Sequence, residues 1–549
     1  VRAGYTAPAD ARLAASLLLF RDGADGLEVL MLRRAERDND ARSGAAVFPG
    51  GVLDARDREA HAFCLGEGDA AVSARLGVAE GGLDYLVAAV RETFEEVGLL
   101  LACADDGGAV DATALAPWRT RLQQGEVGVA EFCRATGLRL DLRGLAYHSH
   151  WLTPPGQPKR FDTRFFAALA PAGQVADPDR GETVELMWLT PRAALDAAAG
   201  LKLLPVTRRT LQELLPFATA AQALAASSAR REVPLVMPRR AVGARGPQVV
   251  LPDEHAYAEV ARLDPEGRGD VACTLQPGRA VRLSDRVWRV TAPNPGPMTG
   301  PGTNSYLLAG DEGWTVIDPG PAMPVHVQAL RDAAPGRIAR ILVTHTHRDH
   351  SPAAAPLAQA TGAPVWGRLA RHAEWQDSSF APAHQPQHGE RLRLAEHTTL
   401  RVLHTPGHAS NHLCFLLEEE KLLFTGDHVM QGSTVVINPP DGDMAAYLIA
   451  LQGLLEEDLD WLAPGHGFLV ARPHDVVRAL IAHRRKREAK VLAAVRAAGA
   501  GSITELLPRV YDDVPPALHG VAQRSLLAHL LKLQAEGAVR AEGEVWSAA

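Results

Sequence analysis

The amino-acid sequence predicts a multidomain chain of mixed α/β and α+β class, and three observations carry that expectation. Residues 10–215 alternate strand-like and helix-like hydrophobic patterns. From residue 279 a second series of short apolar runs begins, each closed by turn residues such as Asp-Pro-Gly or Thr-Pro-Gly. Beyond residue 480 the pattern turns helical and ends in a short strand pair. At about 150 residues per domain, 549 residues leave room for three or four units.

The first element is the apolar stretch Leu13–Phe20, too short to span a bilayer and read as a strand. Ala14–Phe20 and Leu27–Arg33 flank a polar Arg-Asp-Gly-Ala-Asp-Gly turn and predict a hairpin. Leu83–Leu101 has helical spacing, and Arg164–Ala170 and Val184–Leu189 read as further strands. Residues 216–278 are mixed, an Ala-rich helix followed by Pro-, Arg- and Gly-containing stretches, expected to be a tail or linker. Tyr306–Leu308, Trp314–Ile317, Ile341–Thr344, Leu400–His404 and Leu413–Leu417 are the strands of a domain over residues 279–480. Helices at Val476–Ala498, Ser502–Val510 and Gly520–Glu536 precede a pair, Ala538–Ala541 and Glu544–Ser547, around a Gly turn. They predict a winged-helix-like cap over 481–549. No fixed-period repeat or low-complexity tract interrupts this order.

Hydrophobic residues make up 46% and charged residues 22% of the chain, which excludes extensive disorder. The net charge is −8, so no chain-wide positive field gathers nucleic acid. Five cysteines (Cys64, Cys103, Cys133, Cys273 and Cys414) form no CxxC, the pattern of reduced thiols. No cleavage site follows the first apolar run, and Val1 is expected from trimming or an alternative start codon. The cytoplasm is the expected location, without membrane association. The unusual count is histidine: fifteen of 21 lie between His326 and His483.

Two clusters carry chemistry. Glu92, Glu95 and Glu96 stand at i, i+3 and i+4, so three carboxylates share one helical face. Oxygen-only ligands suit Mg²⁺ or Mn²⁺; the alternative is a solvated acidic surface. Phe48-Pro49-Gly50-Gly51 upstream and Arg91-Glu92-Thr93-Phe94-Glu95-Glu96-Val97-Gly98-Leu99 together resemble the Nudix box. Thr93 replaces an aliphatic residue of that pattern, Asp57 stands at its first acidic position, and 33 residues separate Asp57 from Arg91 where the family has seven. This insertion resembles the coenzyme-A diphosphatase branch, as do Trp151-Leu152-Thr153-Pro154, the segment from Arg160 to Phe166 and the segment from Glu182 to Trp188. The resemblance implies a Nudix α/β/α sandwich over 10–215 that hydrolyses a small-molecule diphosphate such as a coenzyme-A or nucleotide derivative. Glu92, Glu95 and Glu96 would hold Mg²⁺ or Mn²⁺, and Arg91 would orient a carboxylate or phosphate. Glu95, Glu182 and Glu185 are all candidates for the base, and the sequence does not choose.

The second cluster is Thr344-His345-Thr346-His347-Arg348-Asp349-His350, directly after an apolar strand. Imidazole with carboxylate is a Zn²⁺ ligand set. Thr405-Pro406-Gly407-His408, Phe424-Thr425-Gly426-Asp427 and Pro464-Gly465-His466-Gly467 follow in order. The set resembles the metallo-β-lactamase-fold hydrolases, an αββα sandwich with two Zn²⁺ ions. It implies His345, His347 and His408 on one metal, Asp349, His350 and His466 on the other, and Asp427 between them. Asp349 is also given a proton-handling role, and Asp318 would orient a ligand histidine. His404, His412 and His428 would be supporting residues. Bridging Asp427 weighs against true β-lactamases.

Asn294-Pro295-Gly296, the segment from Gly302 to Leu307, the helical cap and His483-Arg484-x-x-Arg487-Glu488 narrow the resemblance to the β-lactamase-like protein 2 group. The characterised mitochondrial member of that group is an endoribonuclease, which implies single-stranded RNA as a partner. His483-Arg484-Arg485-Lys486-Arg487 reads either as a phosphate contact or as a solvated helix face. The cap is expected to pack over the active site rather than bind DNA. The leading reading is a bifunctional metal-dependent hydrolase, a Nudix diphosphatase joined to a dinuclear zinc enzyme with a nuclease-type reaction on short single-stranded RNA. The alternatives are a glyoxalase-II-type thioesterase whose Nudix half is a binding module, and an RNA-binding regulator with vestigial sites.

Overall fold

The computed structural model describes residues 5–35, 43–104, 110–178 and 183–549. Contacts divide the chain into two units. One comprises Val1–Arg240, Gln248–Pro252 and Glu266–Gly269, and the other Ala241–Pro247, Asp253–Pro265 and Asp270–Ala549.

In the first unit, strands Ala11–Gly23 and Gly26–Arg34 form the expected hairpin, in register from Phe20 opposite Val29 to Gly23 opposite Gly26. Ala11–Gly23 also runs parallel to Arg160–Leu169, with Ala15 beside Arg164 and Ser16 beside Phe165. Successive side chains alternate across the sheet. Ala15, Leu17, Leu19 and Phe166 pack with the helix Gly82–Val97. Leu18, Phe20, Phe165 and Ala167 pack on the other face with helices Pro205–Leu214 and Ala220–Ser228. The result is a sheet between two helical layers, as predicted. The helix Gly82–Val97 ends four residues before the apolar pattern does. Gly98 takes a left-handed conformation (φ 71°) and donates its N–H to Phe94, so Leu99 and Leu100 are buried in the loop beyond.

The second unit contains two six-stranded sheets. Tyr306, Leu308, Ile317 and Leu342 of one meet Leu400, Val402, Phe415 and Phe424 of the other in a shared core. Helices Pro324–Ala333 and Ala354–Thr361 cover one outer face, and Met444–Leu454 and Pro473–Ala498 the other. This is the αββα sandwich. The linker segment contributes to it: Glu259, fully buried, pairs with buried Arg289 at 2.6 and 2.8 Å and accepts the Leu469 N–H at 2.8 Å.

The 26-residue helix Pro473–Ala498 joins sandwich to cap, with Val477 and Ile481 in the sandwich layer and Val491 and Val495 in the cap core. Ile503–Val510, His519–Ala535 and the hairpin Val539–Glu542/Val545–Ala548 complete the winged helix. A third strand, Ala500–Ser502, pairs with Val545–Ala548. Its Ala-Gly-Ser sequence carries no apolar alternation and left no sequence signal. Among the described residues no helix is long and apolar enough to cross a membrane.

Candidate active sites

Strand Ile338–Leu342 ends two residues before Thr344, and the chain then turns so that His345, His347, Asp349 and His350 face inward. The structure brings all seven expected side chains into two groups. His345, His347 and His408 form one; Asp349, His350, Asp427 and His466 form the other, with ligand atoms of each group within 4.8 Å of one another. Asp427 spans them. Its Oδ2 lies 3.7 Å from His408 Nε2, and its Oδ1 lies 3.4 and 3.3 Å from His350 and His466 Nε2.

The other edge of these rings is fixed by the protein. His408 Nδ1 donates to Val436 O (2.8 Å) and His466 Nδ1 to Gly302 O (3.1 Å). Asp318, buried and at φ 50°, accepts the Thr344 N–H and hydroxyl at 2.7 Å each and His350 Nδ1–H at 2.9 Å. His345 Nδ1 lies 3.0 Å from the same Thr344 hydroxyl, so one carboxylate sets a ligand ring in each group. Sequence reasoning identified Asp318 and missed this relay through Thr344. It also missed Thr303, which Asn294 holds by two hydrogen bonds (2.9 and 3.0 Å) and whose hydroxyl reaches Asp349 Oδ2 at 3.4 Å. The Asn-Pro-Gly motif was its signal. His412 accepts the Asp427 N–H at 3.2 Å.

His408 Nε2 and His347 Nδ1 face each other at 3.0 Å on the inward edge. Among the described residues, His345, His350 and His466 Nε2 and Asp427 Oδ1 are buried there with no hydrogen-bond partner. Leaving four such atoms unsatisfied is costly unless cations occupy the space between them. Charge separates the two groups. Burial pushes His347 down to about 3, helped by His408, and holds His345 far below its ordinary value. Burial also opposes charge on His350 and His466. There Asp349 and Asp427 win, holding His350 well above its ordinary value and carrying His466 up to about 9. The donor set and its orphaned atoms fit divalent metal.

In the first unit the long insertion folds back on itself. Asp57, buried, receives Arg91 Nε and Nη2 at 2.8 and 3.1 Å, which closes the 33-residue gap. Arg91 also donates to Glu92 (2.7 Å) and Val52 O (2.9 Å) and lies 3.6 Å from Glu95. The Gly50 N–H donates to Glu96 at 2.9 Å, and a Cβ on Gly51 would fall 2.4 Å from the Glu92 carboxyl carbon. Burial raises Glu95 to about 7, with Arg91 opposing and Glu92 adding. A pocket of 200 Å³ opens on Arg91 and Glu95 beside Asp57 and Gln123. Among the described residues the three glutamates do not gather on one point as the histidine centre does. Glu185 stands outside this pocket, 3.4 Å from Arg33. Glu182 lies outside the described residues.

The sequence model of the metallo-beta-lactamase superfamily matches residues 298–466, that of the NUDT19 Nudix domain residues 75–203, and that of the beta-lactamase associated winged helix domain residues 502–546. An atrochrysone carboxyl ACP thioesterase of Aspergillus chevalieri is 33% identical over 279 residues, which are 48% of this chain and 85% of that protein. The chain belongs to the metallo-beta-lactamase superfamily. The beta-lactamase-like protein 2 homolog of Caenorhabditis elegans is 28% identical over 47% of this chain and 87% of its own. A NUDIX hydrolase structure from Alicyclobacillus acidocaldarius is 31% identical over 40% of this chain and 97% of that one, with a TM-score of 0.34. By its family-model matches this superfamily member is a hydrolase with a Nudix domain ahead of its lactamase-fold domain.

One expectation about that domain is corrected. The sequence leaves Arg484 and Arg487 either as phosphate contacts or on a solvated face; in the structure both are buried. Arg484 donates to Val435 O and lies over the Tyr447 ring. Arg487 donates to Val510 O and pairs with Asp513 at 2.7 and 3.0 Å, tying the long helix to the cap. The reason is helical period: 481, 484, 487 and 491 share the inward face. Only His483, Arg485 and Lys486 of the stretch are exposed.

Proposed function

We propose that the lactamase-fold domain is a dinuclear zinc thioesterase and that the Nudix domain hydrolyses a diphosphate of the coenzyme-A type with Mg²⁺ or Mn²⁺. The observation that carries the first half is the state of the basic stretch. A phosphodiester polyanion needs cations beside the metals, and Arg484 and Arg487 are spent inside the protein. A neutral thioester carbonyl needs none. The relative named as an acyl-carrier-protein thioesterase supports the same choice.

His345, His347 and His408 would hold one zinc ion and Asp349, His350 and His466 the other, with Asp427 between. Two such ions supply an activated water and stabilise charge developing on the scissile carbonyl. The protein does the rest. Asp318 keeps His350 Nδ1 protonated, leaving Nε2 as the ligand atom, and through Thr344 does the same for His345. Thr303 holds the Asp349 carboxylate facing the centre, where it can carry a proton. In the Nudix domain Glu92, Glu95 and Glu96 would hold the ion. Arg91, whose N–H groups are engaged by Asp57, Glu92, Glu95 and Val52 O, would hold the glutamates in place, and Glu95, which lines the pocket, suits the base better than Glu185.

The test is a side-by-side assay of the full chain reconstituted with Zn²⁺, on an acyl-coenzyme-A thioester and on short single-stranded RNA. Thioester hydrolysis that disappears in Asp349→Ala, with RNA left intact, is expected. RNA cleavage without thioester hydrolysis would overturn the proposal.

A further inference from the structure

We infer that the N-terminal unit holds a second binding site, for a carboxylate with an apolar tail, in a cavity of 630 Å³ on the sheet face opposite its Nudix helix. The volume lies within the 300–1,000 Å³ or so typical of small-molecule sites. Trp151, Phe161, Phe165 and Val206 wall it. Two cations, Lys159 and Arg240, stand exposed at its lining, and neither pairs with a carboxylate among the described residues.

The placement follows from strand alternation. In Arg160–Leu169, Asp162 and Arg164 turn to the Nudix-helix face. There Asp162 accepts the Tyr5 hydroxyl at 2.7 Å and meets His150 Nε2 at 2.6 Å, and Arg164 lies over the Tyr85 ring. Phe161, Thr163 and Phe165 turn the other way, into the cavity. The two segments singled out in the sequence, from Trp151 to Pro154 and from Arg160 to Phe166, therefore build this cavity rather than the carboxylate cluster of Glu92, Glu95 and Glu96. Neither hydrolytic centre uses their inward side chains.

The chemistry selects the ligand. Aromatic and aliphatic walls reward burial of an apolar chain or ring by roughly 25 cal/mol per Å². A guanidinium and an ammonium at the edge of a low-dielectric space suit a single carboxylate head, which Arg can hold through two parallel hydrogen bonds. Among the described residues the lining holds no carboxylate, so a cationic ligand finds no partner in it.

Decanoate, titrated calorimetrically into the full chain below its micelle concentration, tests this. Saturable binding of one decanoate per chain is expected, with decanol, which has the same tail without the charge, binding at least tenfold more weakly. The exposed double variant Lys159→Glu, Arg240→Glu should lose at least tenfold in decanoate affinity without a change in unfolding temperature. Thr163→Trp, which puts an indole into the cavity between Trp151 and Phe161, should weaken binding at least tenfold. Glu95→Gln should leave it unchanged, which separates this site from the Nudix carboxylates. The inference is overturned by no saturable binding to the wild type, by equal binding of decanol, by undiminished binding to the charge-reversed or Thr163→Trp variant, or by loss of binding in Glu95→Gln.

Discussion

Asp318→Asn isolates the part of the metal centre that the fold itself supplies. The carboxylate accepts three hydrogen bonds, from the Thr344 N–H and hydroxyl and from His350 Nδ1–H. An amide can accept only with its oxygen. If that oxygen keeps the Thr344 N–H, the new NH₂ faces the Thr344 hydroxyl and His350 Nδ1, both of which were donors. His350 must then move its proton to Nε2, the atom aimed at the metal, and the Thr344 hydroxyl must turn, disturbing His345 Nδ1 as well. Each hydrogen bond to a charged group contributes about 1.5–3 kcal/mol. Loss of such an outer partner lowers metal affinity about 10–100-fold, or about 1.4–2.7 kcal/mol. Competition against a chelator of known affinity, with the full chain loaded with Zn²⁺, reads this directly. The group holding His350 should release its ion first. Two ions retained at wild-type affinity would refute the relay.

Three further outcomes are expected. Glu95→Gln and Glu96→Gln should each abolish Mg²⁺-dependent diphosphatase activity while leaving thioester hydrolysis intact, read by chromatography of the two phosphate-monoester products and by thiol release from the same preparation. Glu259→Gln strands a fully buried Arg289 and should destabilise the second unit by about 3–5 kcal/mol in urea unfolding; an unshifted transition would contradict the linker's role in that core. His148, which is buried beside Ser227 and Arg230, has its folded-state value lowered from 6.5 to about 4 by burial first and by Arg230 second. The unfolded chain takes the proton sooner, so stability should fall as pH drops from about 6.5 towards 4 and level off below. The loss is up to about 3 kcal/mol, and His148→Gln should flatten that slope in thermal melts.

Much of this was legible because the chemistry is local in sequence. His345, His347, Asp349 and His350 sit within six residues, and Glu92, Glu95 and Glu96 within one helical turn, so spacing alone named them. The supporting contacts were not, because they join distant segments. The Asp57–Arg91 pair depends on how the insertion folds, and the Glu259–Arg289 pair on where a mixed linker docks. Arg484 and Arg487 are a different case. Their spacing from Ile481 and Val491 already placed them on the inward face, but the charge count drew attention to a phosphate partner instead. The arginine side chain can bury its stem and still satisfy its donors at Val435 O, Val510 O and Asp513.

The central claim is that seven side chains from the lactamase-fold domain form one two-metal centre. Elemental analysis of the full chain after saturation with Zn²⁺ and removal of loosely bound ion tests it most directly, with Asp427→Ala measured alongside, because the Asp427 carboxylate faces ligand atoms of both groups. The account predicts two ions per chain in the wild type and fewer than one at full occupancy in the variant. A wild type that binds no ion, or a variant that still binds two as tightly, would contradict it.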